Sequence, residues 1–245
     1  MTRNTWIIFI VICIALVGGL IWTSQDNQVD VGEINVNEFQ PASEENGNIA
    51  DHTLGNPDAK VVIVDYSDYQ CPACAQASPV MKRVAEKYND DVLFIFRNFA
   101  FQQPNSRAAA AAAEAAGLQG KFWEMNELLF ASQAEWKQAS LERRTTLFTQ
   151  YASQFGLDIE KFKTDLTSDA VGAKIDYDKA IANKVGVNST PSIYVNGKAA
   201  SESYKDGKVV AERSEGAQPV WSNAELFEKE LIIPELKKQG VKVDN

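Results

Sequence analysis

The sequence is poor in the residues that bind metal ions or build disulfide scaffolds. Its 245 residues include only three cysteines and one histidine. A structural zinc ion generally takes four Cys or His ligands, so a zinc site would need all four residues, and Cys13 lies in an apolar N-terminal run away from the others. The same count disfavours a fold stapled by several disulfides. Stability must therefore come from an apolar core, and no metal or cofactor is expected.

Positive charge is also scarce. The chain has 24 Lys and Arg against 33 Asp and Glu, a formal net charge of −9, which argues against nucleic acid as a partner. Seven acids and no Lys or Arg fall between residues 24 and 51, so the remainder is nearly neutral. Residues 24–50 show no sustained hydrophobic period, and we expect an acidic, flexible linker there. The folded body is predicted to span residues 51–245.

An uncharged run of 17 residues lies between Trp6 and Trp22, with Arg3 before it. This length is about the minimum for a helix that crosses a bilayer, and the two tryptophans and the flanking arginine fit a membrane anchor. Residues 1–23 are therefore predicted to anchor the chain in the cell membrane by a single pass, with the body extracytoplasmic. A cleaved signal peptide and lipidation at Cys13 are the alternatives, and both would also place the body outside the cytoplasm.

The two remaining cysteines form a C-x-x-C motif, Cys71-Pro72-Ala73-Cys74, shortly after the apolar run at residues 61–64. A strand therefore leads through a turn into a helix, and Pro72 suits the first helical turn. Cys71 would sit where unpaired backbone N–H groups stabilise a thiolate, which lowers the pKa of such cysteines to about 3.5–7.5. Cys74, one turn later, could attack a mixed disulfide formed at Cys71.

This motif has three possible explanations. It could be half of a zinc site, an inert structural disulfide or a redox-active pair. The shortage of further Cys and His residues disfavours zinc. The context of strand, C-x-x-C and helix is the one that supports redox chemistry, so the sequence favours thiol–disulfide exchange.

Hydrophobic patterning and turn residues predict a mixed α/β body. Buried strands at residues 61–66 and 92–97 flank a helix at 71–88, and such a connection makes a parallel pair. Helical periodicity then extends over about residues 104–185. The remaining predictions are a strand after Pro191, a turn at Asn196-Gly197, a loop or small hairpin insertion at 201–219, and a helix at 223–239 that is broken near Pro234.

Several motifs of the body occur together in one known family. They are Asp51-His52, Gly55-Asn56-Pro57, the segment from Asp68 to Cys74, Arg97 with Phe99, residues 120–124 and residues 186–191. In this combination the chain resembles the DsbA-like thiol–disulfide oxidoreductases, especially their membrane-anchored extracytoplasmic members. The resemblance implies an α/β thioredoxin fold, in which βαβ and ββα parts are separated by an inserted α-helical subdomain.

The resemblance also implies roles for residues outside the cysteine pair. Pro191 is expected to be cis and to face the cysteines, and the Thr190 backbone beside it would pair with an extended substrate chain. Asp65 stands where the family often has a buried acid, and it would exchange a proton with Cys74. Burial would raise the pKa of Asp65. The alternative for Asp65 is an exposed residue at the end of a strand.

Three residues differ from the family pattern or carry no expected role. Ala73 stands where strongly oxidising members have His, and alanine cannot donate a hydrogen bond to the Cys71 sulfur, so the redox direction is left open. Asp68 is expected at a turn or on the surface. His52 is expected in a loop, without a catalytic or metal-binding role.

Residues and resemblance together predict an extracytoplasmic enzyme that oxidises protein thiols to disulfides at Cys71 and Cys74. A disulfide reductase or isomerase of the same fold is one alternative, and a non-enzymatic chaperone or binding module is another. The expected partners are substrate proteins with free thiols or disulfides and a membrane redox partner that reoxidises the pair. The protein is expected to be a monomer.

Overall fold

The structure is a computed structural model that describes residues 31–35, 37–101, 104–210 and 215–243, together with Trp6, Phe9, Ile10, Ile12, Cys13 and Val29. The predicted anchor over residues 1–23 therefore lies largely outside the described residues. Among the described residues, no helix is long and apolar enough to cross a membrane.

The chain alternates strands and helices before and after a long helical block. The strands are β1 His52–Gly55, β2 Val61–Ser67, β3 Val92–Asn98, β4 Ser192–Val195, β5 Lys198–Ala199, β6 Ser203–Lys205, β7 Lys208–Val210 and β8 Gln218–Pro219. The helices are α1 Pro72–Lys87, α2 Asn105–Gly117, α3 Phe122–Ala131, α4 Gln133–Trp136, α5 Leu141–Gln154, α6 Ile159–Asp165, α7 Asp169–Val185, α8 Ala224–Phe227 and α9 Ile233–Lys238. A short 3₁₀ turn, Val220–Ser222, precedes α8, and a π-helical turn, Glu228–Ile232, joins α8 to α9.

The main sheet has five strands in the order β1-β3-β2-β4-β5. β2 runs parallel to β3 and antiparallel to β4, while β1 pairs antiparallel with β3 at one edge. β2 and β3 consist mainly of apolar residues and are almost completely buried, as expected for parallel strands with helices on both faces. The predicted α/β fold, with a helical insertion between its βαβ part and its ββα part, is confirmed.

The two faces of the sheet contribute to different hydrophobic clusters. Ile63, Phe94 and Phe96 pack with α1 and the helical insertion on one face. Val64 and Ile95, which point to the opposite face because strand side chains alternate, pack with α7. The alanine-rich helix α2 is buried along most of its length, since small side chains let neighbouring helices approach closely. The cysteine pair belongs to the first of these clusters.

The expected linker over residues 24–50 is corrected at its C-terminal part, which packs on the body. Gln40, Asn46 and Ile49 are buried, and the Gln40 N–H donates to Asp51 Oδ2 at 3.0 Å. Composition alone missed this packing because most of the residues involved are polar, and they are buried only through specific hydrogen bonds. The folded body therefore begins before residue 40 rather than at Asp51.

β1 occupies residues that were expected to form a loop. His52 lies in this edge strand opposite Phe96 of β3. Its Nε2 is 2.8 Å from Glu114 Oε2, and its ring stacks on Phe122 with centroids 3.4 Å apart. The strand has only four residues and ends at the turn signal Gly55-Asn56-Pro57, so its pattern was too short to be recognised.

The last third of the chain agrees with the sequence in outline. The insertion at residues 201–219 contains the predicted hairpin, β6 with β7, and adds β8 to form a three-stranded sheet. The C-terminal helix is interrupted by the π-helical turn Glu228–Ile232 directly before the helix that contains Pro234. Proline has no N–H to continue a regular helical hydrogen-bond ladder, which explains the predicted break.

Candidate active site

The cysteine pair lies where β2 ends and α1 begins. Cys71 is the residue that caps the N-terminus of α1, with extended backbone angles (φ −76°, ψ 120°), and Pro72 is the first helical residue. The Cys71 N–H donates to the Asp68 carbonyl at 3.0 Å, which closes the turn between strand and helix. Both cysteines are buried free thiols, and Cys74, one turn into α1, is the more deeply buried.

The pKa values of the two thiols are shifted in opposite directions. Hydrogen bonds from the Cys74 thiol, from the Thr190 side chain and from the backbone N–H groups of Cys74 and Ala73 lower the pKa of Cys71 to about 5, although partial burial opposes them. Burial raises the pKa of Cys74 above its usual value, and the hydrogen bond to Cys71 and the charge of Asp65 add to this. Cys71 is therefore a thiolate at neutral pH while Cys74 keeps its proton, as a nucleophile and a buried resolving thiol require.

A distant part of the chain completes the environment of Cys71. The Thr190–Pro191 peptide bond is cis, as expected, and Cys71 Sγ lies 3.3 Å from the Thr190 carbonyl oxygen. These residues are brought together because β4, which begins at Ser192, pairs with β2. The structure thus places the predicted residues Cys71, Cys74, Thr190 and Pro191 at one site.

Asp65 lies in the middle of the sheet, buried on β2 and paired with β3 and β4 on either side. Burial raises the pKa of its carboxyl to about 7, although a hydrogen bond from Ser67 Oγ to Asp65 Oδ1 at 2.8 Å opposes the shift. The alternative of an exposed strand-end residue is wrong. A carboxyl group with this pKa can both accept and donate a proton near neutral pH, and its charge acts on the neighbouring Cys74.

Asp68 is at a turn, as expected, but it is not on the surface. Its carboxylate is buried and accepts from the Gln70 N–H at 2.7 Å, the Phe101 N–H at 2.8 Å and Ser106 Oγ at 2.8 Å. These bonds join the active-site turn to the loop after β3 and to the first turn of α2. Ala73 lies at the start of α1 and offers the Cys71 sulfur no side-chain donor.

Gln133 is a residue of the site that the sequence did not reveal. It lies in α4, inside the helical insertion, and its Nε2 donates to the Tyr69 carbonyl at 2.6 Å and to the Cys71 carbonyl at 2.9 Å. The insertion therefore holds the backbone on both sides of the turn that carries Cys71. No sequence signal could have found this contact, because 62 residues separate Gln133 from Cys71.

The residues of the site offer a thiolate, a buried thiol and a buried acid within one turn of helix and one strand. Within the described ranges, no group of three or more His, Cys, Asp or Glu side chains is arranged to hold a metal ion.

Solved structures share this architecture. BdbD from Bacillus subtilis, in its oxidised form, is 26% identical and superposes with a TM-score of 0.60 over 83% of this chain and 100% of its own. A thioredoxin-like oxidoreductase from Silicibacter pomeroyi DSS-3 is 29% identical with a TM-score of 0.53, covering 64% of this chain and 86% of its own. Wolbachia pipientis alpha-DsbA1 is 24% identical and shares the fold, with a TM-score of 0.59 over 77% of this chain and 94% of its own.

Curated relatives match over a shorter stretch. The Na(+)/H(+) antiporter NhaA 1 of Mycolicibacterium gilvum is 37% identical over 152 residues, which is 60% of this chain and 24% of the antiporter. The chain thus spans about a quarter of the length of the curated relatives that it matches. The family model described as thioredoxin matches residues 47–211, which is more than half of the chain and contains the cysteine pair and the cis proline, so the chain belongs to the thioredoxin family.

Proposed function

We propose that this protein is an extracytoplasmic thiol–disulfide oxidoreductase that oxidises substrate protein thiols to disulfides. The observation that carries the proposal is the unequal pair, Cys71 with a pKa lowered to about 5 and Cys74 with a raised pKa. The similarity to a thioredoxin-like oxidoreductase supports the reaction class. The direction rests on the stabilised Cys71 thiolate, because a pair whose reduced form is stabilised is a stronger oxidant.

The proposed reaction starts from the Cys71–Cys74 disulfide. A substrate thiolate attacks Cys71 Sγ, the bond between the two enzyme sulfurs breaks, and Cys74 leaves with the electron pair. A second substrate thiolate then attacks the substrate sulfur of the mixed disulfide and releases the Cys71 thiolate. The substrate loses two electrons and gains a disulfide, while the enzyme pair gains the two electrons. A partner that carries a disulfide or another two-electron acceptor reoxidises the pair.

Asp65 moves the proton that this exchange requires. When Cys74 leaves as a thiolate in a buried place, its charge is costly, and a protonated Asp65 carboxyl can supply the neutralising proton. In the reverse step the carboxylate takes the proton back as Cys74 is reoxidised. A carboxyl with a pKa of about 7 suits both directions. Thr190 would present its backbone to an extended substrate chain beside Cys71.

The extracytoplasmic location is supported by the uncharged run between Trp6 and Trp22, which is also consistent with a membrane redox partner. Fractionation of cells that produce the full chain tests it. We expect the protein in the membrane fraction, exposed on the outer side to added protease. A chain that begins near Thr23 on mass spectrometry would instead indicate a cleaved signal peptide.

Equilibration of the protein with glutathione buffers tests the direction of the reaction. We expect a reduction potential between the values of about −120 mV for DsbA and about −270 mV for thioredoxin, nearer to the DsbA end. Ala73→His should make the potential less negative, because a histidine adds a donor to the Cys71 thiolate. A potential at or below that of thioredoxin would make this protein a reductase, and full biological activity of a Cys71→Ser variant would favour a chaperone or binding module.

A further inference from the structure

An open groove of about 580 Å³ lies between three helices of the helical insertion, α2, α5 and α7. Two arginines line it, Arg107 of α2 and Arg144 of α5, and apolar side chains form much of the remaining wall. We call it the Arg144 groove. Within the described part of the chain, its lining includes neither cysteine of the active site nor Pro191. The groove is therefore a second concave site, separate from the redox centre.

Arg144 is a buried cation without a counter-charge. The residue is only 5% exposed, and its Nη1 donates to two uncharged acceptors, Asn105 Oδ1 at 2.6 Å and the Ala139 carbonyl at 3.5 Å. Burial lowers the pKa of Arg144, and no described carboxylate opposes this shift. A buried charge that lacks an opposite charge is costly, so an anion that entered the groove would relieve this cost.

The hydrogen bonds of Arg144 use one end of its guanidinium group and leave one edge of it available. Nε and Nη2 have no partner among the described residues, and neither nitrogen is sealed inside the protein. Two parallel N–H groups of a guanidinium match the two oxygens of a carboxylate. Arg107, in contrast, already pairs with Asp176, at 2.5 Å from Nη1 and 3.0 Å from Nη2. Arg144 is thus the arginine of the groove that can receive a carboxylate.

The other walls restrict the anion that fits. Leu141 and Leu166 line the groove, and Leu141 is 70% exposed, so an apolar chain on this wall would remove apolar surface from water. Asp169 and Asp176 also line the groove. Their charges would repel a doubly charged phosphate more strongly than a singly charged carboxylate. The lining therefore favours a single carboxylate that carries an apolar chain.

We infer that the Arg144 groove binds a small organic monocarboxylate with an apolar chain. The carboxylate pairs with Nε and Nη2 of Arg144, and the chain lies on Leu141 and Leu166. The groove volume of about 580 Å³ is within the range of about 300–1,000 Å³ for small-molecule sites. This ligand site goes beyond the proposed thiol–disulfide exchange and does not depend on it.

Titration of the full chain with hexanoate tests the inference, with hexanol and hexylammonium as probes that have the same chain and no negative charge. NMR follows the Nε–H signal of Arg144 and the methyl signals of Ile175, which also lines the groove. We expect hexanoate to shift both sets of signals and the other two probes to bind at least about tenfold more weakly, because they cannot accept the charged hydrogen bonds of Arg144. Equal affinities of the three probes, or an Arg144 signal that does not move with hexanoate, would overturn the inference.

Two variants with matched controls locate the binding, with the Ile175 methyl signals as the readout. Arg144→Gln should weaken hexanoate binding more than about tenfold, whereas Arg143→Gln, at an exposed residue outside the groove, should not change it. Leu141→Glu should weaken it several-fold, because the new charge repels the carboxylate.

Leu118→Glu is the control for Leu141→Glu, since Leu118 is also exposed and does not line the groove. Hexanoate should bind to this control as it binds to the parent protein. Leu141 is exposed enough for its substitution to leave the fold intact, so this pair decides the test even if Arg144→Gln does not fold. Equal hexanoate affinity of Leu141→Glu and Leu118→Glu would overturn the inference.

Discussion

Burial raises the pKa of both Asp65 and Cys74. Both side chains resist ionisation, and burial is the largest cause of each raised pKa. Cys71, three residues before Cys74, is less deeply buried and accepts several hydrogen bonds, so its pKa moves the other way. At the scale of single residues, the site therefore combines a stable negative charge on Cys71, a Cys74 thiol that keeps its proton and an Asp65 carboxyl that gains or loses its proton near pH 7.

Asp65→Asn is predicted to stabilise the fold at alkaline pH. The pKa of Asp65 rises from 3.8 to about 7 on folding, so its neutral form contributes stability that is present below about pH 4 and is lost as pH rises through 7. Removing the carboxyl should raise the free energy of unfolding at pH 8 by up to about 4 kcal/mol, from about 1.4 kcal/mol per pKa unit. Urea unfolding of the oxidised protein at pH 4 and pH 8 measures it.

The control for this variant is Asp90→Asn, which changes an exposed carboxyl in a turn and should leave the unfolding free energy almost unchanged at both pH values. The same Asp65→Asn variant should form mixed disulfides with substrate thiols more slowly, since the leaving Cys74 has lost its proton donor. A variant that is no more stable than the parent at pH 8 would contradict the raised pKa.

The hydrogen bond between the two thiols should control the reactivity of Cys71. At pH 6 the reduced protein should be alkylated by iodoacetamide at Cys71 far faster than at Cys74, because only a thiolate reacts. Cys74→Ala removes the largest of the contributions that lower the pKa of Cys71, so the pH midpoint of alkylation should rise. Cys74→Ser, the matched control, keeps a hydroxyl group that can donate to Cys71, so it should raise the pH midpoint of alkylation less than Cys74→Ala does. Equal alkylation of both cysteines in the parent protein would contradict the assignment of Cys71 as the nucleophile.

Buried charges connect the elements on the far side of the sheet. Arg97 of β3 donates to Asp51 at 2.7 Å. Lys174 of α7 pairs with Asp51 at 3.0 Å and with Asp178 at 2.6 Å. All four side chains are completely buried, so these ion pairs join Asp51, which directly follows the expected linker, to the sheet and to α7 without solvent screening.

Lys174→Met is predicted to destabilise the fold by about 3–5 kcal/mol, because removal of one partner leaves buried carboxylates uncompensated. Arg107→Met is the matched control: Arg107 pairs with Asp176, and both side chains are more than a third exposed, so its loss should cost less than about 1 kcal/mol. Denaturant unfolding at pH 7 compares the two variants. A similar loss of unfolding free energy in both variants would mean that the buried ion pairs stabilise the fold no more than the exposed pair does.

At the scale of the whole molecule, the segment before Asp51 belongs to the folded body. Arg97 Nη2 donates to the Glu38 carbonyl at 2.7 Å, and Ile49 packs into the main hydrophobic cluster. A chain that begins at residue 51 should therefore be less stable than one that begins at residue 37.

The expected loss of unfolding free energy is at least about 2 kcal/mol, which is the contribution of burying one isoleucine side chain. Asp51 and Arg97 would also become more exposed to solvent. Thermal and urea unfolding of the two truncated chains measure the difference. Their reduction potentials should agree, because the segment does not touch the cysteine pair. Equal stability of the two chains would restore the expectation of a free linker up to Asp51.

The sequence alone determined the features that depend on local chemistry. The cysteine spacing, Pro72 and the preceding apolar strand locate the redox motif, and the periods of the apolar residues locate the principal strands and helices. The resemblance added Thr190-Pro191 and Asp65. The tertiary structure decided how deeply each group is buried, and with it the unequal acidities of Cys71 and Cys74.

Tertiary structure also decided every contact between distant segments: Gln133 on the active-site turn, the buried pairs around Lys174, and the groove that three helices form around Arg144. Such contacts have no local signal, because burial and hydrogen bonding across the fold depend on which elements the sheet brings together. A polar residue such as Asp68 therefore suggests solvent exposure in the sequence and is buried in the structure, where the Phe101 N–H and Ser106 Oγ from other segments satisfy its carboxylate.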